Sequence, residues 1–502
     1  MEVETLIRAY NDYIKRINAY KYALKVINFD AATGAPKSAI KERSEAYSFI
    51  ALEYFKLKTS PEFKSIIANL KNVYSKLDKY YQRIVDLEIK TLDKISKIPP
   101  HRYQEFSKLS AESEVAWEEA KEKSDYQIFK PYLEKIVSMV KEFAHYYGGE
   151  IDGSLYNRML DDYEEGMTIK KLDEFFNTLK ERIVPLLEKI KASKIKIDDS
   201  FIYKNYPHEG QILIGEEILK VIGFDLENGM LRESAHPFTS SISNSDIRVT
   251  THIYENNVIS SIYSVIHEGG HGIYDQNINP KFKGTILYDG ASMAIHESQS
   301  RLYENVIGRS KEFVHILYEL LKKIYPLQMK KITEEDLYLA VNKVEPSFIR
   351  TEADELTYSL HILVRYEMEK LIIDGNVSFD ELPSIWNQKM KEYLGIEPKN
   401  DKEGILQDIH WAGGSFGYFP SYALGNAIGL QLLHTMKKEL DFKQAIVNKN
   451  FDQIKEYLAK NVYIHGKMLS PMELLKEVTG EELNASYYCD YLEQKFKEIY
   501  LI

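Results

Sequence analysis

Two histidines four residues apart, with a glutamate beside the first, form the HEXXH string His267-Glu268-Gly269-Gly270-His271. On an α-helix, positions i and i+4 share a face one turn apart, so both imidazoles can hold one zinc-sized ion while Glu268 stands next to it. The chemistry this permits is hydrolysis, in which a metal-bound water gives its proton to the glutamate. Such strings also arise by chance, and the motif gains weight only from its surroundings. A hydrolytic ion needs a third protein ligand and an open position for water. No third histidine occurs in Gly272-Ile-Tyr-Asp-Gln-Asn277, which excludes the metzincin arrangement. The other large group of zinc peptidases takes a glutamate from a following helix. Residues Asp289 to Asn305 read as that helix, closed by Gly308, and Glu297 is the candidate. His296 points about 100° away from Glu297 around the helix, so it is assigned to packing or to supporting a ligand.

The motif needs a helix to carry it. Asn256-Asn257 can cap one, Val258, Ile259, Ile262, Val265 and Ile266 recur at helical spacing, and Asn277 to Pro280 end the run. Two glycines inside a helix cost about 1 kcal/mol each relative to alanine, which predicts that another backbone or a substrate passes close to positions 269 and 270. Upstream, His236-Pro237-Phe238 precedes a predicted strand from Asp246 to Tyr254, read as an edge strand able to pair with extended substrate. From these residues alone, His236 is as readily a loop histidine satisfied by backbone. Downstream, Ser347 to Ile373 is predicted as one long helix with Arg350, Asp354, Thr357 and His361 on a stripe, where Arg350 and Asp354 could form a simple i,i+4 pair. Gly404 to Trp411 and Ala412 to Asn426 combine glycine, aromatic and histidine residues in a way that fits a cleft lining. The chain from Val3 to about Phe143 reads as long helices separated at Gly34-Ala-Pro36, Thr59-Ser-Pro61 and Pro99-Pro100. Another helix is predicted over 168–193, and a short strand or ordered loop from Ile195 to Tyr206.

With 502 residues and no linker-like composition, the chain is expected to form a single unit, either elongated or as two helical lobes enclosing a cleft. The net charge of −11, with acids and bases interspersed, disfavours nucleic-acid and anionic-membrane binding. No apolar run approaches a membrane span and the N-terminus lacks a secretory pattern. The single cysteine, Cys489, forms no internal disulfide and fits a cytoplasmic protein. Abundant Lys, Glu, Ile and Tyr lean towards a heat-adapted source.

Taken together, His236-Pro-Phe238, Asp246-Ile-Arg-Val-Thr250, His267-Glu-Gly-Gly-His271, His296-Glu-Ser298, Ile349-Arg-Thr-Glu-Ala-Asp354 and Gly404-Ile-Leu-Gln-Asp-Ile-His-Trp411 resemble, in the same order, the Taq-type thermostable metallocarboxypeptidases. The resemblance runs from around Asn28-Phe-Asp30 to a C-terminal stretch from Leu469 to Leu483. It implies a mainly α fold with a long deep groove and a small antiparallel sheet beside it, a homodimer, and release of C-terminal residues from peptides with zinc or cobalt. It implies His267, His271 and Glu297 as metal ligands and Glu268 as general base. His236, Arg248, Arg350, His410, Tyr418 and Tyr422 would line the cleft. Related deep-groove zinc peptidases place an aspartate four residues after the third ligand to orient a metal histidine. Here that position is Arg301, so another carboxylate, with Asp275 a candidate, has to fix the imidazole.

The expected reaction is hydrolysis of the last peptide bond, with Tyr418 or His410 steadying the oxyanion and Arg350 pairing with the terminal carboxylate. Two rivals are an endo-acting or dipeptide-releasing peptidase on the same scaffold, and a catalytically silent helical protein that binds metal or peptides. Glu268 argues against the second, because a purely structural site has no use for it.

Overall fold

The computed structural model describes residues 2–502, and among these twenty α-helices surround one three-stranded sheet. The first helix, Val3–Thr33, buries Leu6, Tyr10, Tyr13, Ile14 and Ile17 at helical spacing and stops at Gly34. Ser60 separates the next two helices, Ile40–Thr59 and Pro61–Asn72, and its hydroxyl accepts from the Phe63 N–H at 3.0 Å. The helices Lys79–Lys97 and Pro100–Lys123 meet at Ile98-Pro99, so all three predicted breaks fall where the prolines and glycine put them. Lys58 pairs with the buried Glu88 at 2.7 Å, and Tyr10 donates to the same carboxylate at 3.2 Å. The helix predicted at 168–193 is Ile169–Ala192, capped by Thr168, whereas Ile195 to Tyr206 contains no strand and makes a 3₁₀ turn at Ser200–Tyr203.

The sheet comprises β1 (Gly229–Glu233), β2 (Thr239–Ser243) and β3 (Asp246–Thr251) in the order β1-β3-β2. β2 and β3 form the expected antiparallel pair, while β1 runs parallel to β3, so the sheet is mixed. The predicted strand is therefore shorter than expected, ending at Thr251, and it is central. Its Ile247 and Val249 are fully buried, and β1 covers the side that was expected to be free. The edge strand beside the cleft is β2. On its open side, Lys25 of the first helix donates to the Ser241 carbonyl.

The motif helix, Val258–Asn277, has Asn257 as its cap and lies across β3. The region read as one helix from Ser347 is broken. Arg350–Glu352 is a single 3₁₀ turn, Ala353 is extended, and the helix begins at Tyr358 and ends at Ile373. Asp354 is the cause, because its Oδ1 accepts from the Leu356 and Thr357 N–H groups at 2.9 Å each, offering the backbone an alternative to the helix. Residues 404–419 are turns, and Pro420–Met436 is a helix. Near the C-terminus, Cys489 is fully buried on the helix Ser486–Tyr500, which packs on Ile169–Ala192 and Pro420–Met436. Among the described residues no helix is long and apolar enough to cross a membrane.

Candidate active site

The two motif histidines emerge from the motif helix towards a shorter helix, Met293–Arg301, whose Ser292 cap accepts from Ile295 N–H at 3.1 Å. That helix starts four residues later than predicted and passes after Arg301 into a π-helical segment, Leu302–Ile307, before Gly308. The expected close approach at the glycine pair is real. A Cβ at Gly270 would lie 2.8 Å from the Ser300 Cα, so two backbones touch there, while Gly269 faces the Ile222 and Leu219 side chains. A second contact of this kind comes from the opposite side, where a Cβ at Gly425 would lie 2.6 Å from Glu297 Cγ. The helix carrying Glu297 is thus gripped between the backbones of two others.

The result brings together His267, His271 and Glu297, whose ligand atoms all lie within 4.8 Å of one another. The Nε2 atoms of His267 and His271 stand 3.7 and 3.5 Å from Glu297 Oε2. Tetrahedral bonds of about 2.0–2.1 Å have edges of about 3.3 Å, so the three donors fit a small divalent ion. Burial pushes His271 down to about 4, which keeps it neutral, the form in which an imidazole can hold a metal. Burial favours the neutral form of Glu297, but Arg301 and the two histidines outweigh it and hold the carboxyl well below its ordinary value. Glu268 is raised chiefly by burial, against His267 and a 2.7 Å hydrogen bond from Thr239.

The groups that fix these three side chains are only partly legible in the sequence. His267 Nδ1 meets Glu304 Oε2 at 2.8 Å, and Arg301 donates to Glu297 at 2.7 Å and to Glu304 at 3.0 Å. Burial would raise Glu304, yet Arg301 and His267 bring it down to about 2. His271 Nδ1 lies 2.5 Å from His296 Nδ1, and His296 Nε2 lies 3.0 Å from Asp275. The carboxylate that orients His267 is therefore Glu304. Asp275 reaches His271 only through His296, which supports that imidazole from outside the three-residue cluster. Glu304 sits seven residues after Glu297 and three after Arg301, a same-face spacing that would have pointed to it.

A cavity of about 710 Å³ opens over this cluster, lined among others by Phe238, Thr239, Glu268, Tyr418 and Tyr422. A second, of about 420 Å³, adjoins it and shares Asp289, Met293 and His296. The remaining predicted residues stand further back. His410 packs against Tyr418 at 5.5 Å between ring centres, and burial lowers it to about 4. Arg350 is buried, with its guanidinium 5.0 Å from the Tyr422 ring centre. Its expected partner Asp354 does not hold it, since Asp354 is occupied by backbone. Arg350 instead donates to Asp408 at 2.8 and 3.1 Å and to Tyr358 OH at 3.2 Å. Arg365 donates to the other Asp408 oxygen at 2.6 Å. Arg248 is turned to Asp246 with two contacts of 2.7 Å and does not line the cavity. His236 is exposed, and its neighbours Pro237, Phe238 and Thr239 form the cavity wall.

A paired-histidine helix, a glutamate from a following helix within reach of both and a second glutamate beside them, in a predominantly helical chain with a cavity over the cluster, have the arrangement of a metallopeptidase site of the HEXXH type. The profile of the carboxypeptidase Taq (M32) metallopeptidases matches residues 9–496. The chain is 44% identical over 503 residues to carboxypeptidase 1 of Bacillus subtilis, covering all of both chains. It is 38% identical to thermostable carboxypeptidase 1 of Pyrococcus furiosus over 96% of each. Among solved structures, an M32 carboxypeptidase from Deinococcus radiodurans superposes with a TM-score of 0.95 at 30% identity, over 99% of this chain and 100% of that one. The chain therefore belongs to the M32 family of metallocarboxypeptidases, and it is a metal-dependent carboxypeptidase.

Proposed function

We propose that this enzyme removes single residues from the C-terminus of peptides, with His267, His271 and Glu297 holding zinc or cobalt and Glu268 as general base. The bound ion would supply a Lewis acid that makes its water a nucleophile near neutral pH. Glu268, raised by burial, is suited to take the water's proton and pass it to the leaving amine. Tyr418 lines the cavity and His410 packs on it, so one or both steady the oxyanion. Tyr422, which lines the cavity, belongs to the substrate-binding surround, whereas Arg248 and His236 do not reach it here. A cytoplasmic location is supported by the scarcity of cysteine, with Cys489 alone and without a disulfide partner. Self-association as a homodimer is supported by the exposed row Phe49, Leu52 and Phe55 on one helix.

The observation that carries the exopeptidase reading is the charge around Asp408. Two guanidiniums, Arg350 and Arg365, share this single carboxylate, leaving a buried group of three with one excess positive charge beside Tyr422. A substrate carboxylate would neutralise it, and Arg350 has N–H donors not spent on Asp408 or Tyr358. Amidated peptides should be cleaved at least about a hundredfold more slowly than free acids, since losing a charged hydrogen-bonded pair costs around 3 kcal/mol. Arg350→Ala should erase most of that difference by slowing the free acid. Equal cleavage of both peptides by the unaltered enzyme would instead support an endo-acting peptidase.

A further inference from the structure

The stretch between His410 and Tyr418 contains neither helix nor strand, yet it must hold both side chains at the cleft. Its own bonds are those of successive turns, among them Gly414 N–H to the Trp411 carbonyl at 3.1 Å and Ser415 N–H to the His410 carbonyl at 2.9 Å. Its two ends are also tied from outside. Glu369, wholly buried on the helix Tyr358–Ile373, accepts from Trp411 Nε1 at 2.9 Å with one oxygen. With the other it accepts from the Gly417 N–H at 2.9 Å and from Tyr156 OH at 2.7 Å. Trp411 directly follows His410, and Gly417 directly precedes Tyr418. One carboxylate therefore clasps the loop at both ends.

The backbone at the second end leaves little slack. Gly417 has φ +89°, and a Cβ there would lie 2.8 Å from the Met159 backbone, so this turn is pressed onto the helix Leu155–Tyr163. Glu369 makes no ion pair among the described residues, and the Arg365 charge acts on it only as a minor influence beside burial and its hydrogen bonds. All three of its partners are neutral donors. A carboxylate is the one side chain of this shape that accepts at both oxygens, and a glutamine must turn a donor towards one of the three.

We propose that Glu369 is a positioning residue for the hydrolytic reaction, setting where His410 and Tyr418 stand by holding Trp411 and Gly417. This rests on the reading that His410 or Tyr418 acts at the reacting carbonyl. Glu369→Gln keeps the shape and sets an N–H against an N–H at Trp411 or at Gly417. Trp411→Phe removes one of those donors and lets the amide oxygen serve Gly417 and Tyr156.

The test measures kcat, KM and bound metal for Glu369→Gln, Trp411→Phe, the double variant, Tyr418→Phe and His410→Gln on a free-acid peptide. Glu369→Gln is expected to lower kcat at least tenfold, with KM and metal content within about twofold of the unaltered enzyme. In the Trp411→Phe background the same change should cost less than about threefold, a non-additivity that general destabilisation does not produce. If Glu369→Gln fails to fold, Trp411→Phe alone must lower kcat at least threefold at normal metal content, and no change there overturns the proposal. A full kcat in Glu369→Gln, or a fall matched by metal loss, also overturns it while Tyr418→Phe or His410→Gln remains impaired. If neither Tyr418→Phe nor His410→Gln lowers kcat, the functional reading beneath the proposal fails instead, and the proposal falls with it.

Discussion

Gly425 offers the most direct test of how the third ligand is held. In Gly425→Ala the new Cβ would stand 2.6 Å from Glu297 Cγ, 2.8 Å from its Cβ and 3.1 Å from its carbonyl carbon. Carbon pairs settle at about 3.5–4.0 Å, so close to 1 Å of overlap must be relieved. The helices cannot simply part. One turn further on, Gly429 sits on the Ser298 carbonyl at 2.9 Å from a notional Cβ, and on the far side Gly270 meets Ser300 in the same way. The softest route is displacement of the Glu297 side chain, by several times the roughly 0.2 Å that metal–ligand distances tolerate. Overpacking costs about 1–3 kcal/mol. Falling mainly on the metal-bound state, that weakens the ion by roughly 5- to 150-fold at 1.4 kcal/mol per decade. Competition against a chromogenic chelator measures it, with Gly34→Ala, whose Cβ would meet nothing nearer than 3.8 Å, as control. An affinity within twofold of the unaltered enzyme would show that Gly425 does not constrain Glu297.

Glu304→Gln should weaken metal binding by about 10- to 100-fold, the usual effect of losing a group that orients a ligand, because the amide takes over the contacts of His267 and Arg301 poorly. Equilibrium dialysis at fixed free metal reads this directly, and unchanged affinity would remove Glu304 from the role given to it. His410 should imprint itself on stability. Its folded pKa of about 4, set by burial and by Arg350 and Arg365 against Asp408, lies below the ordinary value near 6.5. Between those pH values only the unfolded chain takes up the proton, so stability is full above 6.5 and declines as pH falls to 4, by up to about 3 kcal/mol. Urea midpoints from pH 7 to 4 should therefore fall less steeply for His410→Gln, and parallel curves would contradict the assignment.

What could be read from the sequence was whatever depends on near neighbours along the chain. The motif helix, its Asn257 cap, the breaks at Pro36, Pro61 and Pro100, and Glu297 on the next helix all follow from spacing and local propensity. Glu304 is within reach of the same spacing, since i, i+4 and i+7 from Glu297 share a face, but with Arg301 in the place of the expected aspartate the sequence points to Asp275 instead. Two failures lie where distant residues decide. Arg350 is separated from Asp408 by 58 positions, and nothing near Arg350 announces that partner. β3 looked like an edge because its own alternation says nothing of β1 lying alongside it. The helix predicted from Ser347 failed for a local reason, since Asp354 bonds to its own backbone, a competition that hydrophobic periodicity does not register.

The one thiol of the chain is a clock already built into it. Cys489 is wholly enclosed, and burial pushes it up to about 12, so in the native protein it is neither reachable nor ionised enough to react. A thiol reagent can mark it only in molecules whose C-terminal helix has left the groove between Ile169–Ala192 and Pro420–Met436. The latter helix carries Gly425 and Tyr422, so each labelling event records the back of the catalytic wall coming open. With no second cysteine to confuse the signal, the rate of that marking, with and without metal, counts how often the unaltered enzyme lets go of its own active site.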